Sequence, residues 1–264
     1  MLKAILYYIL FLAEYLITIF LGGFLVGLYM AMNMHSGSHS QQIEGLEESI
    51  YPFMIAIGFL GILIVWLTFG HYKFSRFSLG KVIPAAKWKA MTICTMPILG
   101  FTMVFYSIMN LFHLDFLPKQ MMEMSYLGFL PWNVIGSFIS VYIFFGAIQE
   151  ELIRCGKKRW VQLLTLSIMM LPASMMSATP SSDINVDLTV LGFITLCYCS
   201  WIYSKTRSTI ILIVLYFVSN LVPFQFESKL LGILLLIAGT ALTIGGFAAL
   251  SRKLPEMLVK DENE

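Results

Sequence analysis

Charged residues are scarce in this sequence: Asp, Glu, Lys and Arg make up 12% of its 264 residues, while 58% are hydrophobic. A soluble domain of this length cannot bury so much apolar surface, so we predict that lipid covers the remainder. The net charge of +2 is too small to indicate a nucleic-acid partner. Residues 1–264 are therefore predicted to form a single transmembrane domain in contact with the lipid bilayer.

Cysteine is also rare, and the four that occur lie outside the predicted external loops: Cys94, Cys155, Cys197 and Cys199. Structural disulfides are typical of oxidising compartments, so these positions argue against a disulfide framework. We interpret all four cysteines as packing residues.

Histidine occurs four times and is absent after His113. His35 and His39 have the i, i+4 spacing that lets two histidines share a metal on a helix, but their Gly/Ser-rich surroundings disfavour a helix. His71 lies beside basic residues at a predicted membrane boundary and is interpreted as an interfacial side chain. We therefore predict no metal site and no other cofactor.

Long apolar runs fill most of the chain. Because lipid offers backbone groups no hydrogen-bond partner, these runs are predicted to be helices. The first run is too long for the hydrophobic part of a cleavable signal peptide. The fold class is thus all-α, a membrane helical bundle with eight transmembrane segments at about 5–32, 51–70, 90–112, 132–153, 161–178, 188–203, 209–223 and 230–251.

Lys and Arg residues alternate along the chain in a way that predicts its orientation. All of them except Lys119 and Lys229 fall at the N-terminus, in the C-terminal tail or in every second loop between the predicted helices. Basic residues are retained on the cytoplasmic side of membranes. Both ends are therefore predicted in the cytoplasm, and a multi-pass protein of the bacterial cytoplasmic membrane fits this pattern.

Three carboxylates lie inside or at the ends of apolar runs, where an ionisable group is costly. Glu14 is near the middle of the first predicted helix, and two interpretations stay open for it: a functional group, or a protonated carboxyl that hydrogen-bonds to a neighbouring helix. Glu150 and Glu151 lie near the cytoplasmic end of the fourth predicted helix.

The Glu150–Glu151 pair is not explained by helix stability, because a helix C-terminus already carries partial negative charge. Glu150 and Arg154 have the i, i+4 spacing and the order that favour an ion pair. The other carboxylate then stays available as a general base in a cavity open to the cytoplasm. The alternative is an interfacial charge cluster that ends the helix, with Arg154 as its anchor.

Residues 146–156, which read GAIQEELIRCG, resemble the first motif of the CPBP family, the CAAX-prenyl-protease and bacteriocin-processing intramembrane endopeptidases. The family signature is Glu-Glu-x-x-x-Arg, then Phe-x-x-x-His, then His-x-x-x-Asn. Met170 and Ser174 occupy the positions of the second motif, Tyr216 stands for the third histidine and Asn220 matches the asparagine. The resemblance covers residues 140–223 and implies an eight-helix bundle whose site opens to the cytoplasm.

The first motif departs from the family pattern, because only two residues separate Glu151 from Arg154. In one register Glu150 and Glu151 match the acid pair and Cys155 replaces the arginine. In the other register Gln149 and Glu150 match the pair and Arg154 is retained. Glu150 belongs to the site in both registers.

Both motif histidines are absent, which bears on activity. Ser174 and Tyr216 carry hydroxyls that can hydrogen-bond a water molecule but are poor metal ligands. Weak or no proteolysis by the family mechanism is therefore expected. If the chain is an enzyme, Glu150 or Glu151 would activate water and Asn220 would stabilise the oxyanion.

Three functions follow as hypotheses. The first is a degenerate CPBP relative that binds, or gives immunity to, a peptide or bacteriocin, or that binds a membrane partner protein. The second is an active intramembrane endopeptidase. The third is a small permease or transporter subunit in which Glu14, Glu150 and Glu151 line a proton or cation path.

Overall fold

The computed structural model describes residues 2–33, 78–112, 134, 137–177, 186–219 and 229–259. These residues are mostly helical and contain no β-strand, so the predicted all-α class is confirmed for the described part of the chain. The predicted segment 51–70 and all four histidines lie outside the described residues. Within the described ranges, the α-helices are Leu2–Asn33 (α1), Lys87–Leu111 (α2), Glu150–Arg154 (α3), Arg159–Ser177 (α4), Val186–Thr206 (α5), Thr209–Ser219 (α6) and Lys229–Lys253 (α7).

Two stretches of the described chain are long and apolar enough to cross a membrane, Pro84–Leu111 and Lys229–Lys253. The second stretch, α7, is mostly exposed: only 17% of its most apolar window is buried. Its exposed side chains include Ile233, Ile237 and Ile244. A mostly exposed apolar helix requires an apolar covering, and lipid is one medium that supplies it.

Helix α7 packs against α2 through a stripe of glycines. Gly232, Gly239 and Gly246 recur every seven residues and are buried, while the rest of α7 is largely exposed. A Cβ at Gly239 would lie 2.7 Å from the Gly100 carbonyl oxygen, and one at Gly246 would lie 2.8 Å from the Pro97 ring. The two backbones therefore approach as closely as only small residues allow, a packing mode typical of helices in membranes.

We expect Gly239→Ala to destabilise the protein, because the added methyl group meets backbone atoms of α2 that cannot move independently. Overpacking of this kind costs about 1–3 kcal/mol, so the midpoint of thermal unfolding in detergent should fall by several degrees. Gly245→Ala is the matched control, since nothing lies within 4 Å of its added Cβ. Equal midpoints for the two variants would contradict the close contact.

The centre of the described structure is a π-helix, Val141–Gln149, in which every residue is buried. Helices α1, α4, α5 and α6 all contact it. From α1, the Phe11 ring meets Phe144 edge-on at 5.9 Å, and from α5, Tyr203 lies 6.3 Å from Phe145. π-helical segments are rare in proteins, and those that do occur often lie at functional sites. This one ends at Gln149, directly before the predicted carboxylate pair.

Hydrogen bonds join three segments that are distant in sequence: residues 78–83, 206–209 and 254–259. We call this contact the clasp. The Lys81 amide donates to the Thr206 carbonyl at 2.7 Å, and the Val259 amide donates to the Lys81 carbonyl at 2.8 Å. Val82 and Leu258 form an isolated antiparallel bridge. The clasp therefore ties the α5–α6 turn to the segment that precedes α2 and to the segment that follows α7.

Two residues with left-handed backbone meet inside the clasp. Gly80 has φ of 59° and Arg207 has φ of 53°. A Cβ at Gly80 would lie 2.3 Å from the Arg207 carbonyl carbon, so only glycine fits there. Ser208 begins α6 by accepting the Ile211 amide at 3.2 Å, while its hydroxyl donates to the Ser78 carbonyl. The backbone of Arg207 is thereby fixed from both sides.

The cysteine predictions are confirmed in part. Cys94 and Cys199 are buried packing residues, and Cys197 is half-buried. Cys155 differs from its predicted packing role because it is exposed, at the point where α3 ends.

Candidate functional site

The Glu150 carboxylate is the centre of a polar cluster built from three elements. Its Oε1 atom accepts from the Arg154 Nε at 3.2 Å, within α3. Its Oε2 atom accepts from Arg207 Nη1 at 2.8 Å, and the Tyr203 hydroxyl donates to the same oxygen at 3.1 Å. Both carboxylate oxygens are therefore engaged.

The two ion pairs of Glu150 differ in their surroundings. Arg207 is 27% exposed and Glu150 is 26% exposed, whereas Arg154 is 68% exposed. Solvent screens the Arg154 pair, and such pairs contribute about 0.3–0.5 kcal/mol. The pair with Arg207 is better shielded, so it is the stronger of the two contacts. Arg207 therefore restrains Glu150 more strongly than Arg154 does.

The neighbouring carboxylate, Glu151, is arranged differently. Its side chain is half-buried and has no ion-pair or hydrogen-bond partner within the described part of the chain. Its backbone carbonyl accepts from the Cys155 amide at 3.0 Å, where α3 ends. The pairing of Glu150 with Arg154 is thus present, and Glu151 is the carboxylate that stays available.

Gln149, the last residue of the π-helix, is buried completely. Its amide nitrogen lies 3.0 Å from the Ser200 carbonyl oxygen, 2.9 Å from the Ser200 hydroxyl and 3.2 Å from Gln162 Oε1. Gln162 in turn donates to the Lys157 carbonyl at 2.7 Å. The position therefore requires a donor, which a carboxylate lacks. If Gln149 and Glu150 are aligned with the acid pair of the CPBP motif, the first acid of that pair is replaced here by an amide that has a structural role.

The other predicted site residues are not brought to Glu150 by the described contacts. Tyr216 lies on α6, half-buried against the hydrophobic core, and is not among the side chains that hydrogen-bond Glu150. Glu14 lies in α1 and Ser174 in α4, but their side chains are outside the described residues, as is all of Asn220. No group of three or more His, Cys, Asp or Glu side chains that could hold a metal occurs in the described ranges.

Sequence reasoning missed two members of the cluster, Arg207 and Tyr203. From the sequence, Arg207 counts only among the basic residues of the predicted cytoplasmic loops, and Tyr203 has no predicted role. They are 57 and 53 residues from Glu150 in sequence. The signal that could have found them is charge balance, since a carboxylate pair at a helix end requires cations beyond Arg154.

Comparison with protein-family models, with curated proteins and with solved structures finds no match to this chain.

We expect Arg207→Gln to destabilise the protein more than Arg154→Gln. The first change leaves a half-buried carboxylate without its shielded cation, and a hydrogen bond to a charged group is worth about 1.5–3 kcal/mol. The second change removes only a screened pair. Thermal unfolding of the two purified variants measures the difference. Loss of stability by Arg154→Gln alone would mean that the exposed pair is the important one.

Gln149→Glu is expected to destabilise the fold as well. Its carboxylate would face the Ser200 carbonyl oxygen and Gln162 Oε1, both acceptors, in a fully buried position. The unfolding midpoint should fall at pH 8 and recover in part at pH 5, because a protonated carboxyl can donate one hydrogen bond. Gln162→Glu, also buried and also a donor to a carbonyl oxygen, should respond to pH in the same way, whereas the control Lys158→Glu, at an exposed position, should not. A variant that is as stable as the parent at pH 8 would show that position 149 accepts an acid.

Proposed function

We propose that the chain is a multi-pass membrane protein that binds a peptide through a degenerate CPBP-type site, and that its role is peptide or bacteriocin immunity. The observation that carries the proposal is the engagement of both Glu150 oxygens by Arg154, Arg207 and Tyr203. A general base needs an oxygen directed at its water molecule. Glu150, the one acid common to both motif registers, offers none in this arrangement.

The membrane topology is part of the same proposal. Eight spans with both ends in the cytoplasm are supported by the alternation of basic loops and by the helices that overlap every predicted segment except 51–70. The exposed apolar surface of α7 agrees with lipid contact. In this topology the Glu150 cluster faces the cytoplasm, and a bacterial cytoplasmic membrane is the proposed location.

The cluster offers a peptide both signs of charge. Arg154 is mostly exposed, and its planar guanidinium can donate to a peptide carboxylate or carbonyl. Glu151 supplies an available carboxylate for a peptide amine or basic side chain. Arg154 and Glu151 extend from the same short helix, α3, whose position the Glu150–Arg207 contact restrains, so the two groups stay close to each other. This pre-organisation favours binding over chemistry.

A challenge experiment tests immunity. Bacteria express the parent chain, Glu150→Gln or the control Glu256→Gln, which alters an exposed carboxylate. Equal accumulation of the three proteins in the membrane is verified first. The bacteria are then challenged with a panel of bacteriocin peptides. The parent and the control should protect, and Glu150→Gln should lower the tolerated dose by roughly tenfold, the effect of one lost contact of about 1.4 kcal/mol. Lack of protection by the parent against every peptide contradicts the immunity role.

An active endopeptidase is the alternative function, and one observation favours it: the Glu151 carboxylate is half-buried and has no described partner. In this case Glu151 would be the base and the Glu150 cluster would position it. Mass spectrometry of membrane and secreted peptides separates the two functions. The peptidase is supported if cleavage products vanish in Glu151→Gln and decline only in part in Glu150→Gln. Binding is supported if the parent and both variants give identical peptide pools.

A further inference from the structure

A cleft between α5 and α7 lies apart from the Glu150 cluster. It has a volume of about 630 Å³ and is lined by Tyr198, Trp201, Phe247, Ala248, Leu250 and Ser251. Tyr198 meets Phe247 edge-on at 5.9 Å across the cleft and lies 6.0 Å from Trp201. The Tyr198 hydroxyl points inward and donates to the Cys94 carbonyl at 2.7 Å. The walls therefore present aromatic and aliphatic surface.

Cations flank one end of this cleft on both walls. Lys205 follows Trp201 by four residues on α5, and Arg252 follows Ala248 by four residues on α7. Side chains four residues apart lie on the same face of a helix, so both cations extend the cleft by one turn. Both are exposed, and neither has an ion-pair partner among the residues described.

A third cation lies at the same end. Helix α2 runs antiparallel to α7, because Gly100 packs on Gly239 while Pro97, earlier in the chain, packs on Gly246. The first turn of α2, with the exposed Lys89, therefore lies beside the last turn of α7. The nearest described carboxylate in sequence, Glu256, follows Arg252 in a short 3₁₀ turn and is exposed. The positive charge at this end exceeds the negative charge.

We propose that this cleft binds one anionic glycerophospholipid, with an acyl chain against Trp201 and Phe247 and the phosphate between Lys205 and Arg252. The apolar walls need an apolar occupant, and the cations at one end need an anion attached to it. An anionic lipid satisfies both, whereas a free anion leaves the walls uncovered. Aromatic side chains beside basic ones are typical of the membrane interface, where each cation gains about 1 kcal/mol from anionic lipid.

The inference rests on the proposed membrane location but not on peptide binding. Cations in the last turn of a helix also complement its dipole, and that role alone would affect stability without selecting a lipid. The preference for anionic lipid and the thermal stability of each variant are therefore measured separately.

The full-length protein is purified in detergent and titrated with brominated phosphatidylglycerol or brominated phosphatidylcholine that carry the same acyl chains. Quenching of tryptophan fluorescence is measured for the parent and for Trp201→Phe. The difference between the two is the quenching of Trp201, the tryptophan that lines the cleft. Lys205→Gln/Arg252→Gln is the test variant, and Lys157→Gln/Lys158→Gln is the control, with the same loss of charge at exposed positions after α3. Thermal unfolding verifies that every variant is folded.

Phosphatidylglycerol should quench Trp201 at lower concentration than phosphatidylcholine, and the test variant should lose this preference by roughly tenfold or more, as expected for two cations. The control should keep it, and excess inorganic phosphate should not displace the lipid. Ala248→Phe, which fills the exposed wall, should weaken quenching by both lipids. The proposal is overturned if the two lipids quench alike in the parent, if the control loses the preference equally, or if phosphate competes. Retained peptide protection in the test variant would separate this result from the proposed immunity role.

Discussion

The contact between Glu150 and Arg207 is the constraint on which the described site depends. It joins the end of the π-helix to the α5–α6 turn at 2.8 Å, across 57 residues of sequence. Arg207 can reach Glu150 because the clasp fixes its backbone, and the clasp closes because Gly80 has no side chain to obstruct it. The position of one carboxylate thus depends on segments before α2, between α5 and α6, and after α7.

The chemistry of the site follows from this constraint. A carboxylate whose two oxygens accept from two guanidinium groups and a phenol is a fixed anion in a structural network. Gln149 beside it is engaged through its amide nitrogen, which lies within hydrogen-bond distance of Ser200 and Gln162. In one of the two registers of the CPBP-like motif, these two positions correspond to the acid pair; in the other, Glu150 and Glu151 do. Glu151 is the neighbouring carboxylate that has no partner among the described residues.

How much was predictable from sequence depended on the distance between the interacting residues. Long apolar runs predicted helices, because hydrophobicity is a local property, and α1, α2, α4 and α7 begin and end within a few residues of their predicted bounds. The Glu150–Arg154 pair was also local. The π-helix was not predicted, because nine consecutive residues that are almost all apolar show no period that separates it from an α-helix. Arg207, Tyr203 and the clasp depend on contacts across the whole chain, which no pattern in one sequence specifies.

The glycine stripe of α7 has a consequence for biosynthesis. Its contact partner, α2, is synthesised long before α7, so the narrow groove beside Gly100 and Pro97 stays open while the intervening helices are made. Contacts between distant segments form late because chain entropy opposes them. The α2–α7 contact and the clasp, both of which need residues after 229, therefore assemble after translation of the middle of the chain. Until then, the face of α2 at Gly100 and Pro97 lacks its partner helix, and the clasp lacks the strand-like segment 254–259.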